Sequence, residues 1–156
     1  MYIIREMKQE EYFLLRDFLY EAIFVPDGAD PPPRSIINLP ELQEYISGFG
    51  RRRCDKAFVA ELQGKPVGAA WARIMNDYGH IDDATPSLAI SVYRRYRGLG
   101  IGASLLGSLM DALRIEGYPR LSLSVQKENY AVRMYRKAGF SIVRENGEEY
   151  IMAVDL

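Results

Sequence analysis

The chain has 156 residues, of which 48% are hydrophobic, and a formal net charge of -1. This length is typical of one domain with its own hydrophobic core, so we expect a single domain over residues 1–156. The near-zero charge gives no general attraction to nucleic acid, and no apolar run approaches the ~20 residues of a membrane-spanning helix. We therefore expect the protein to bind neither nucleic acid nor a membrane.

The only cysteine and the N-terminal segment indicate a cytoplasmic location. Residues 1–5 lack the pattern of a secretory signal. Cys54 has no second cysteine with which to form a disulfide, which fits a reducing compartment, and we expect no structural zinc or other metal site. A nucleophilic thiol would need a nearby base, and Cys54 is flanked by arginines and Asp55, so an ordinary thiol is favoured.

Hydrophobic periodicity in the N-terminal half predicts a series of short elements. They are a strand at 2–6, a helix at 8–24, a loop at 25–38, a short helix at 39–50, and a hairpin of strands at 57–62 and 67–74. Three consecutive prolines, Pro31 to Pro33, favour a loop because proline donates no backbone hydrogen bond. Pro40 is suited to the first turn of the short helix.

The C-terminal half alternates strands and helices. The predicted elements are a strand at 87–93 after Pro86, a glycine-rich turn, a helix at 101–116, a strand at 121–126, a helix at 129–138, and a hairpin at 140–145 and 149–155. The first of these strands is almost continuously apolar, as is typical of a central strand covered on both faces. The absence of a repeat or linker predicts one compact unit that mixes α and β elements.

The glycine-rich turn at 97–103 joins this apolar strand to the longest helix. A helix start has unpaired N–H groups and the positive end of the helix dipole, so it can bind an anion that glycines allow to approach closely. An ordinary tight turn is the alternative. The spacing of Gly98, Gly100 and Gly102 does not fit a dinucleotide-binding motif, and the segment lacks the lysine of a nucleotide-hydrolysing phosphate loop.

Arg97-x-x-Gly100-x-Gly102 resembles the phosphate loop of the GNAT superfamily of N-acetyltransferases, which reads Gln/Arg-x-x-Gly-x-Gly/Ala. The similarity covers residues 86–145 and includes Ile90-Ser91-Val92, the helix from Leu105, and Ala131-x-x-x-Tyr135-x-x-x-Gly139-Phe140. It implies a GNAT fold of mixed α/β class, with a central, mostly antiparallel mixed sheet of about seven strands and helices on both faces. It also implies transfer of an acetyl group from acetyl-CoA, the co-substrate, to a primary amine by direct attack in a ternary complex. Many relatives are homodimers, so a homodimer is possible.

The resemblance implies that the coenzyme is held largely by backbone groups. Amides of the glycine-rich turn would hold the pyrophosphate, and Arg97 would add charge. Strand 87–93 would splay from strand 121–126, and its unpaired backbone groups would bond the pantetheine arm. The spacing from Asn129 to Tyr135 is one residue shorter than in most relatives, so either Asn129 or Glu128 would contact the pantetheine amide. Alternatively, Asn129 is the N-cap of the following helix. The implied coenzyme-binding residues are Ile90, Ser91, Val92, Arg97, Gly98, Leu99, Gly100, Ile101, Gly102, Ala103, Asn129 and Tyr135.

The resemblance implies a residue for each of two catalytic roles. The third role, that of general base, has no clear residue. The Val92 N–H would stabilise charge on the thioester oxygen, and Tyr135 would protonate the departing thiolate unless it is only a core aromatic. Many relatives carry a glutamate as general base where this chain has Ser124. His80, Asp82 and Asp83 are alternatives if their loop folds over the site; otherwise they are loop charges.

The acceptor and two competing functions stay open. In relatives the acceptor pocket lies near the positions of the prolines 31–33, Arg34, Tyr45 and Phe49, although core packing also explains these residues. The basic run 51–53 is interpreted as solvated. A non-catalytic CoA-binding sensor or interaction module is the main alternative to an enzyme, and a nucleotide-handling α/β domain is a third hypothesis.

Overall fold

Seven strands form a single mixed sheet in a computed structural model that describes the whole chain, residues 1–156. The strands are β1 (Tyr2–Glu6), β2 (Lys56–Leu62), β3 (Lys65–Arg73), β4 (Ser87–Val92), β5 (Arg120–Gln126), β6 (Ser141–Asn146) and β7 (Glu149–Asp155). Their order is β1-β2-β3-β4-β5-β7-β6, and all neighbours are antiparallel except β4 and β5. The predicted fold class is thereby confirmed.

Helices cover both faces of the sheet. On one face lie α1 (Leu15–Ala22) and α2 (Pro40–Gln43), and on the other lie α3 (Ile101–Ile115) and α4 (Ala131–Lys137). Leu105, Leu109 and Leu113 of α3 are fully buried against the sheet because they recur on one helical face. On the opposite face Phe18 of α1 packs in a second core with Trp71. No helix combines the length and apolarity needed to cross a bilayer.

The predicted helices before β2 are wrong in extent. Residues 8–24 form a 3-10 helix, Gln9–Leu14, followed by α1, and a further 3-10 helix, Arg34–Asn38, lies in the predicted loop. The predicted helix at 39–50 is one α-helical turn followed by turns that end in glycines with positive φ. Gly50 contacts the Tyr12 ring so closely that a Cβ there would lie 2.7 Å from its Cε2 atom, so packing, not helix propensity, shapes this segment.

A buried ion pair fixes the segment that leads from α2 to β2. Arg73 on β3 makes two hydrogen bonds of 2.9 Å to the Asp55 carboxylate, and both side chains are 0% exposed. The same guanidinium donates to the carbonyls of Glu44 and Ser47 at 3.0 and 2.8 Å. The irregular segment 44–55, which includes Tyr45, is therefore tied to the sheet at several points.

Candidate active site

The parallel strands β4 and β5 separate along their length. They pair at Ser87↔Ser122 alone, where the Ser122 N–H donates to the Pro86 carbonyl at 3.0 Å. From that point towards their carboxyl ends the two strands share no register pair. The sheet therefore contains a gap that is closed at Ser87 and open towards the glycine-rich turn.

Backbone groups of both strands face this gap. The Tyr93 N–H donates to the Val67 carbonyl at 2.9 Å, and hydrogen-bonded positions recur at every second residue of an antiparallel pair. Ile90 and Val92 therefore direct their N–H and C=O groups towards β5. On β5 the bond from the Lys127 N–H to Glu148 sets the same alternation, so Ser124 faces β4. An extended ligand would find unpaired donors and acceptors on both sides.

Ser91 has a different position from its two neighbours. The same alternation directs its backbone to Ala69 on β3, where sheet hydrogen bonds occupy it. Its buried hydroxyl donates to the Phe18 carbonyl at 2.7 Å. Ser91 therefore holds α1 against β4 and leaves the backbone contacts across the gap to Ile90 and Val92.

The glycine-rich turn presents a continuous run of free amides at the open end of the gap. From Gly98 through Ala103 no N–H donates to a protein acceptor, and the first intrahelical bond of α3 runs from Ser104 to Gly100 at 3.1 Å. Gly98 and Gly100 have φ values of +79° and +84°, and α3 has no side-chain cap. Successive free amides in a turn of this kind form an anion-binding concavity, and the α3 dipole adds to its positive potential.

Gly102 allows the two helices beside the gap to approach each other. A Cβ at this position would lie 3.2 Å from the Met134 Sδ atom of α4, tighter than an ordinary contact. The phenol of Tyr2 lies on the other side of the turn, 2.8 Å from the Ser104 hydroxyl. The turn is thus packed between β1 and α4, which limits its movement.

The Arg97 side chain points back along β4. Its Nε donates to the Val92 carbonyl at 2.8 Å, and its guanidinium lies 3.6 Å from the Glu21 carboxylate. The contact occupies the carbonyl of Val92 and leaves its N–H available. Arg97 thus joins the turn to α1 as well as contributing charge near the amides.

Tyr135 lies in α4 with its ring in the core and its hydroxyl unpaired. The side chain is 7% exposed, and its ring centroid is 5.7 Å from that of Phe140. The hydroxyl makes no hydrogen bond in the protein, yet it is not among atoms sealed from solvent. Burial raises the pKa of Tyr135 above its ordinary value, so the phenol keeps its proton at neutral pH. The protonated, unpaired hydroxyl can therefore donate a hydrogen bond to a bound ligand.

Asn129 caps the helix that carries Tyr135. Its Oδ1 accepts a hydrogen bond of 2.9 Å from the Ala131 N–H, and α4 begins at Ala131, two residues after the predicted start. The side-chain carbonyl is used in this cap, while the amide Nδ2 makes no hydrogen bond. The two roles considered for Asn129 are therefore compatible within one side chain.

The connection between β3 and β4 folds over β5 on the face of the sheet that carries α1. The Gly79 carbonyl accepts a bond of 2.8 Å from the Ser122 hydroxyl. A Cβ at Gly79 would lie 3.0 Å from the Leu123 carbonyl carbon, so the two backbones are in direct contact. This contact brings the acidic residues of the connection close to the closed end of the gap.

The three loop residues considered as a base have other contacts. The His80 Nδ1 lies 2.9 Å from the Met75 carbonyl, and with Asp83 it lines a separate cavity of about 330 Å³. Asp82 accepts bonds from Ala84 and Thr85 and pairs with Arg120 at 2.8 Å. None of these contacts is with a residue that lines the gap.

The residues considered for the acceptor pocket are divided between the core and the gap. The Pro32 carbonyl accepts a bond of 2.6 Å from Tyr20, and Arg34 pairs with Asp17. Phe49 packs edge-on against Tyr12 with centroids 4.9 Å apart. Tyr45 alone approaches the gap, because its hydroxyl donates to Asp77 at 3.0 Å.

A family model described as the acetyltransferase (GNAT) family matches residues 10–140. The chain belongs to the GNAT family of acetyltransferases. The match confirms the resemblance and the prediction of an acyl-CoA-dependent N-acetyltransferase.

Individual GNAT proteins are similar to this chain in sequence or in fold. An N-alpha-acetyltransferase of Sulfurisphaera tokodaii is 32% identical over 131 residues, which cover 74% of this chain and 73% of that protein. A probable N-acetyltransferase camello of Xenopus tropicalis is 34% identical over 84 residues, 53% of this chain and 37% of that protein. The PaiA N-acetyltransferase of Thermoplasma acidophilum, solved in complex with coenzyme A, superimposes with a TM-score of 0.73 at 18% identity, covering 100% and 99% of the two chains.

The structure places two further residues, Asp77 and Ser87, at the closed end of the gap, and neither was predicted from the sequence as a site residue. Asp77 accepts hydrogen bonds from Tyr45 on one oxygen and from Ser87 on the other, at 3.0 and 2.8 Å. Ser87 is the first residue of β4 and the one that pairs with β5. The only sequence signal was the acidic character of the connection, and nothing in its spacing distinguished Asp77 from Asp82 or Asp83.

Proposed function

We propose that this chain, as one domain over residues 1–156, transfers the acetyl group of acetyl-CoA to a primary amine by direct attack in a ternary complex. The observation that carries the proposal is the run of free N–H groups from Gly98 through Ala103 at the open end of the β4–β5 gap. A diphosphate fits such donors because its oxygens accept several hydrogen bonds at once. The gap itself has the form needed by an extended pantetheine arm.

Backbone groups of β4 hold that arm in this proposal. Ile90 and Val92 offer the groups that β5 leaves unpaired, so the arm bonds to β4 as an additional strand would. The Nδ2 of Asn129, which the cap leaves free, donates to an amide carbonyl of the arm in this proposal. The Val92 N–H is directed at the thioester carbonyl and stabilises the negative charge that develops on its oxygen.

Tyr135 completes the transfer by protonating the leaving group. The amine nitrogen forms a bond to the acetyl carbon, and the carbon–sulfur bond breaks with its electron pair on sulfur. The Tyr135 phenol gives its proton to that thiolate and recovers one from solvent. The unpaired state of the hydroxyl supports this role, because a phenol held in another hydrogen bond would first have to be released.

Direct attack is supported by the state of the only thiol. Cys54 is buried, its Sγ accepts a hydrogen bond of 2.9 Å from the Ile74 N–H, and burial raises its pKa to about 11. A thiol in this state is neither ionised at neutral pH nor near the gap, so it offers no covalent relay. A reducing compartment suits a free thiol, and we place the protein in the cytoplasm.

An α-amino group is the acceptor that we favour. Two curated relatives at 32% and 30% identity are N-alpha-acetyltransferases. An α-amine has a pKa of about 7.7–8.0, well below that of a lysine side chain, so a larger share is unprotonated at neutral pH. Both classes of amine nevertheless have to lose a proton before attack.

An acceptor panel tests the proposal. Purified protein is incubated with acetyl-CoA and peptides that have a free N-terminus, the same peptides with a blocked N-terminus and one lysine, and small amines. Thiol release that depends on a free N-terminus is the expected result. Coenzyme binding by calorimetry without release on any acceptor would favour the CoA-binding module, which Ser124 at the position of the relatives' glutamate keeps as the second candidate. Preference for ATP or NAD over coenzyme A would refute both.

A further inference from the structure

The Asp77 carboxylate lies at the closed end of the β4–β5 gap. Its Oδ1 accepts a hydrogen bond from the Ser87 hydroxyl at 2.8 Å, and its Oδ2 accepts one from the Tyr45 hydroxyl at 3.0 Å. Each carboxylate oxygen has a second lone pair, so both can still accept a proton or a further hydrogen bond. The carboxylate is held in place from two sides and keeps its capacity as an acceptor.

Tyr45 is arranged to orient this carboxylate. Its own carbonyl accepts a hydrogen bond of 3.1 Å from the Trp71 indole, which fixes the backbone beneath the phenol. Burial, and then the negative charge of Asp77, raise the pKa of Tyr45 above its ordinary value, while the neighbouring Ser124 hydroxyl lowers it. Tyr45 therefore stays protonated and donates a hydrogen bond to Asp77.

The position of Asp77 suits a group that acts on the acceptor amine. Ser87, its partner, is three residues before Ile90, so by strand rise the carboxylate lies on the order of 10 Å along β4 from the first free amide of the gap. Val92, whose N–H is assigned to the thioester carbonyl, is two residues further along, roughly 16 Å from Ser87 by strand rise, so the amine nitrogen and a short chain of water molecules fit between the carboxylate and the thioester. Ser87 and Ser124 face the side of the sheet that carries α1, opposite to the core of α3.

We infer that Asp77 is the general base that takes a proton from the acceptor ammonium, with Tyr45 and Ser87 as the residues that position it. The inference rests on the proposed acetyl transfer. The ammonium gives one proton to the Asp77 carboxylate and becomes a neutral amine, which attacks the thioester carbon. The second proton passes from nitrogen to solvent as the tetrahedral intermediate collapses, while Tyr135 protonates sulfur and recovers a proton from solvent, so one proton is released overall. Asp77 then returns its proton to solvent.

The role of Asp77 is tested by comparing kcat for acceptor amines of different basicity. Asp77→Asn keeps the size of the side chain but removes its basicity. With a strongly basic acceptor at neutral pH, kcat should fall by about 100-fold or more, the usual contribution of general acid–base groups. With hydroxylamine, which is already unprotonated at neutral pH, the variant should retain a rate within a few-fold of the wild type. Asp77→Glu should restore part of the activity on the basic acceptor, and Tyr45→Phe should lower it less than Asp77→Asn.

Controls separate this inference from a folding defect and from the proposed function. Asp111→Asn replaces an exposed carboxylate on α3 and should leave both rates unchanged. Melting temperature and acetyl-CoA affinity are measured for every variant. Equal losses on both amines, or wild-type activity of Asp77→Asn on the basic one, would overturn the role of Asp77 while acetyl transfer stands. No acceptor-dependent thiol release by the wild type would overturn the transfer and this inference together.

Discussion

Removing the Asp55 carboxylate should destabilise the protein more than any surface substitution. Asp55→Ala leaves the Arg73 guanidinium, which is 0% exposed, without its ionic partner. The two lost hydrogen bonds are both 2.9 Å long, and Asp55 also accepts bonds from the backbone N–H groups of Gly50 and Arg52 at 2.8 and 3.1 Å. The substitution therefore removes the ionic link between β3 and the segment before β2 and leaves only the bonds of Arg73 to the carbonyls of Glu44 and Ser47 around the guanidinium.

The expected loss follows from the burial of the remaining charge. Breaking a buried ion pair by removing one partner costs about 3–5 kcal/mol, since the other charge stays desolvated. Domains of this size lose roughly 2–4 °C of melting temperature per kcal/mol, so Tm should fall by about 6–20 °C. Adding Arg73→Met to Asp55→Ala removes the unpaired charge and should recover part of this loss.

Thermal and urea unfolding followed by circular dichroism would measure the effect. The matched control is Asp17→Ala, which breaks the ion pair between Asp17 and Arg34 on the surface and should cost less than about 1 kcal/mol. A Tm for Asp55→Ala within the range of this control would refute the argument. It would show that water or a rearranged segment 44–55 solvates Arg73.

Three further predictions concern the coenzyme site and the response to acid. Tyr135→Phe should lower kcat about 100-fold and leave the acetyl-CoA Kd unchanged, because the phenol acts as the thiolate leaves; equal rates in stopped-flow assays would exclude the acid role. Gly100→Ala should raise the acetyl-CoA Kd roughly 5- to 30-fold, since a left-handed alanine costs about 1–2 kcal/mol and the turn would relax away from the ligand. The control is Gly64→Ala, which introduces the same strain in the β2–β3 hairpin turn. It should lower Tm and leave the Kd measured by calorimetry unchanged. Glu11, bonded to Arg5, has a pKa lowered from 4.5 to about 2, so its contribution to stability is present above pH 4.5 and is lost as the pH falls towards 2. Glu11→Gln should therefore show a smaller loss of Tm over that window, and a loss equal to that of the wild type would count against the ion pair.

Local sequence patterns correctly predicted those elements whose conformation is set by residues close to one another in the sequence. The turn of the β2–β3 hairpin is one case: Gln63 and Gly64 have φ values of +53° and +76°, as a two-residue turn requires. The helix α3 is another, because its buried leucines recur with helical spacing over 15 residues. The segment 39–50 was misjudged since its apolar stripe resembles a helix, while Arg73 and Tyr12 hold it in turns.

The gap between β4 and β5 could not be predicted from either strand alone. The alternation of side chains assigns Leu88 and Ser91 to opposite faces of the sheet, but it gives no information on which backbone groups find a partner. That depends on the distance between two strands separated by the whole of α3. Only the resemblance to the GNAT family predicted that the two strands diverge. The single register pair between them, Ser87↔Ser122, shows where they begin to separate.

Gly79 shows why the acidic group beside the gap had to be found in three dimensions. In the sequence Gly79 looks like an ordinary turn glycine, and nothing there indicates that it contacts another strand. In the structure, a Cβ would lie 3.0 Å from the Leu123 carbonyl carbon and 3.1 Å from the Ser124 nitrogen, so only glycine lets the connection lie directly on β5. Asp77 precedes it by two residues and so reaches Ser87, whereas Asp82, three residues beyond it, is held outside by Arg120. Carboxylates in the same loop thus have different surroundings because one contact between two backbones decides which of them lies beside the β4–β5 gap.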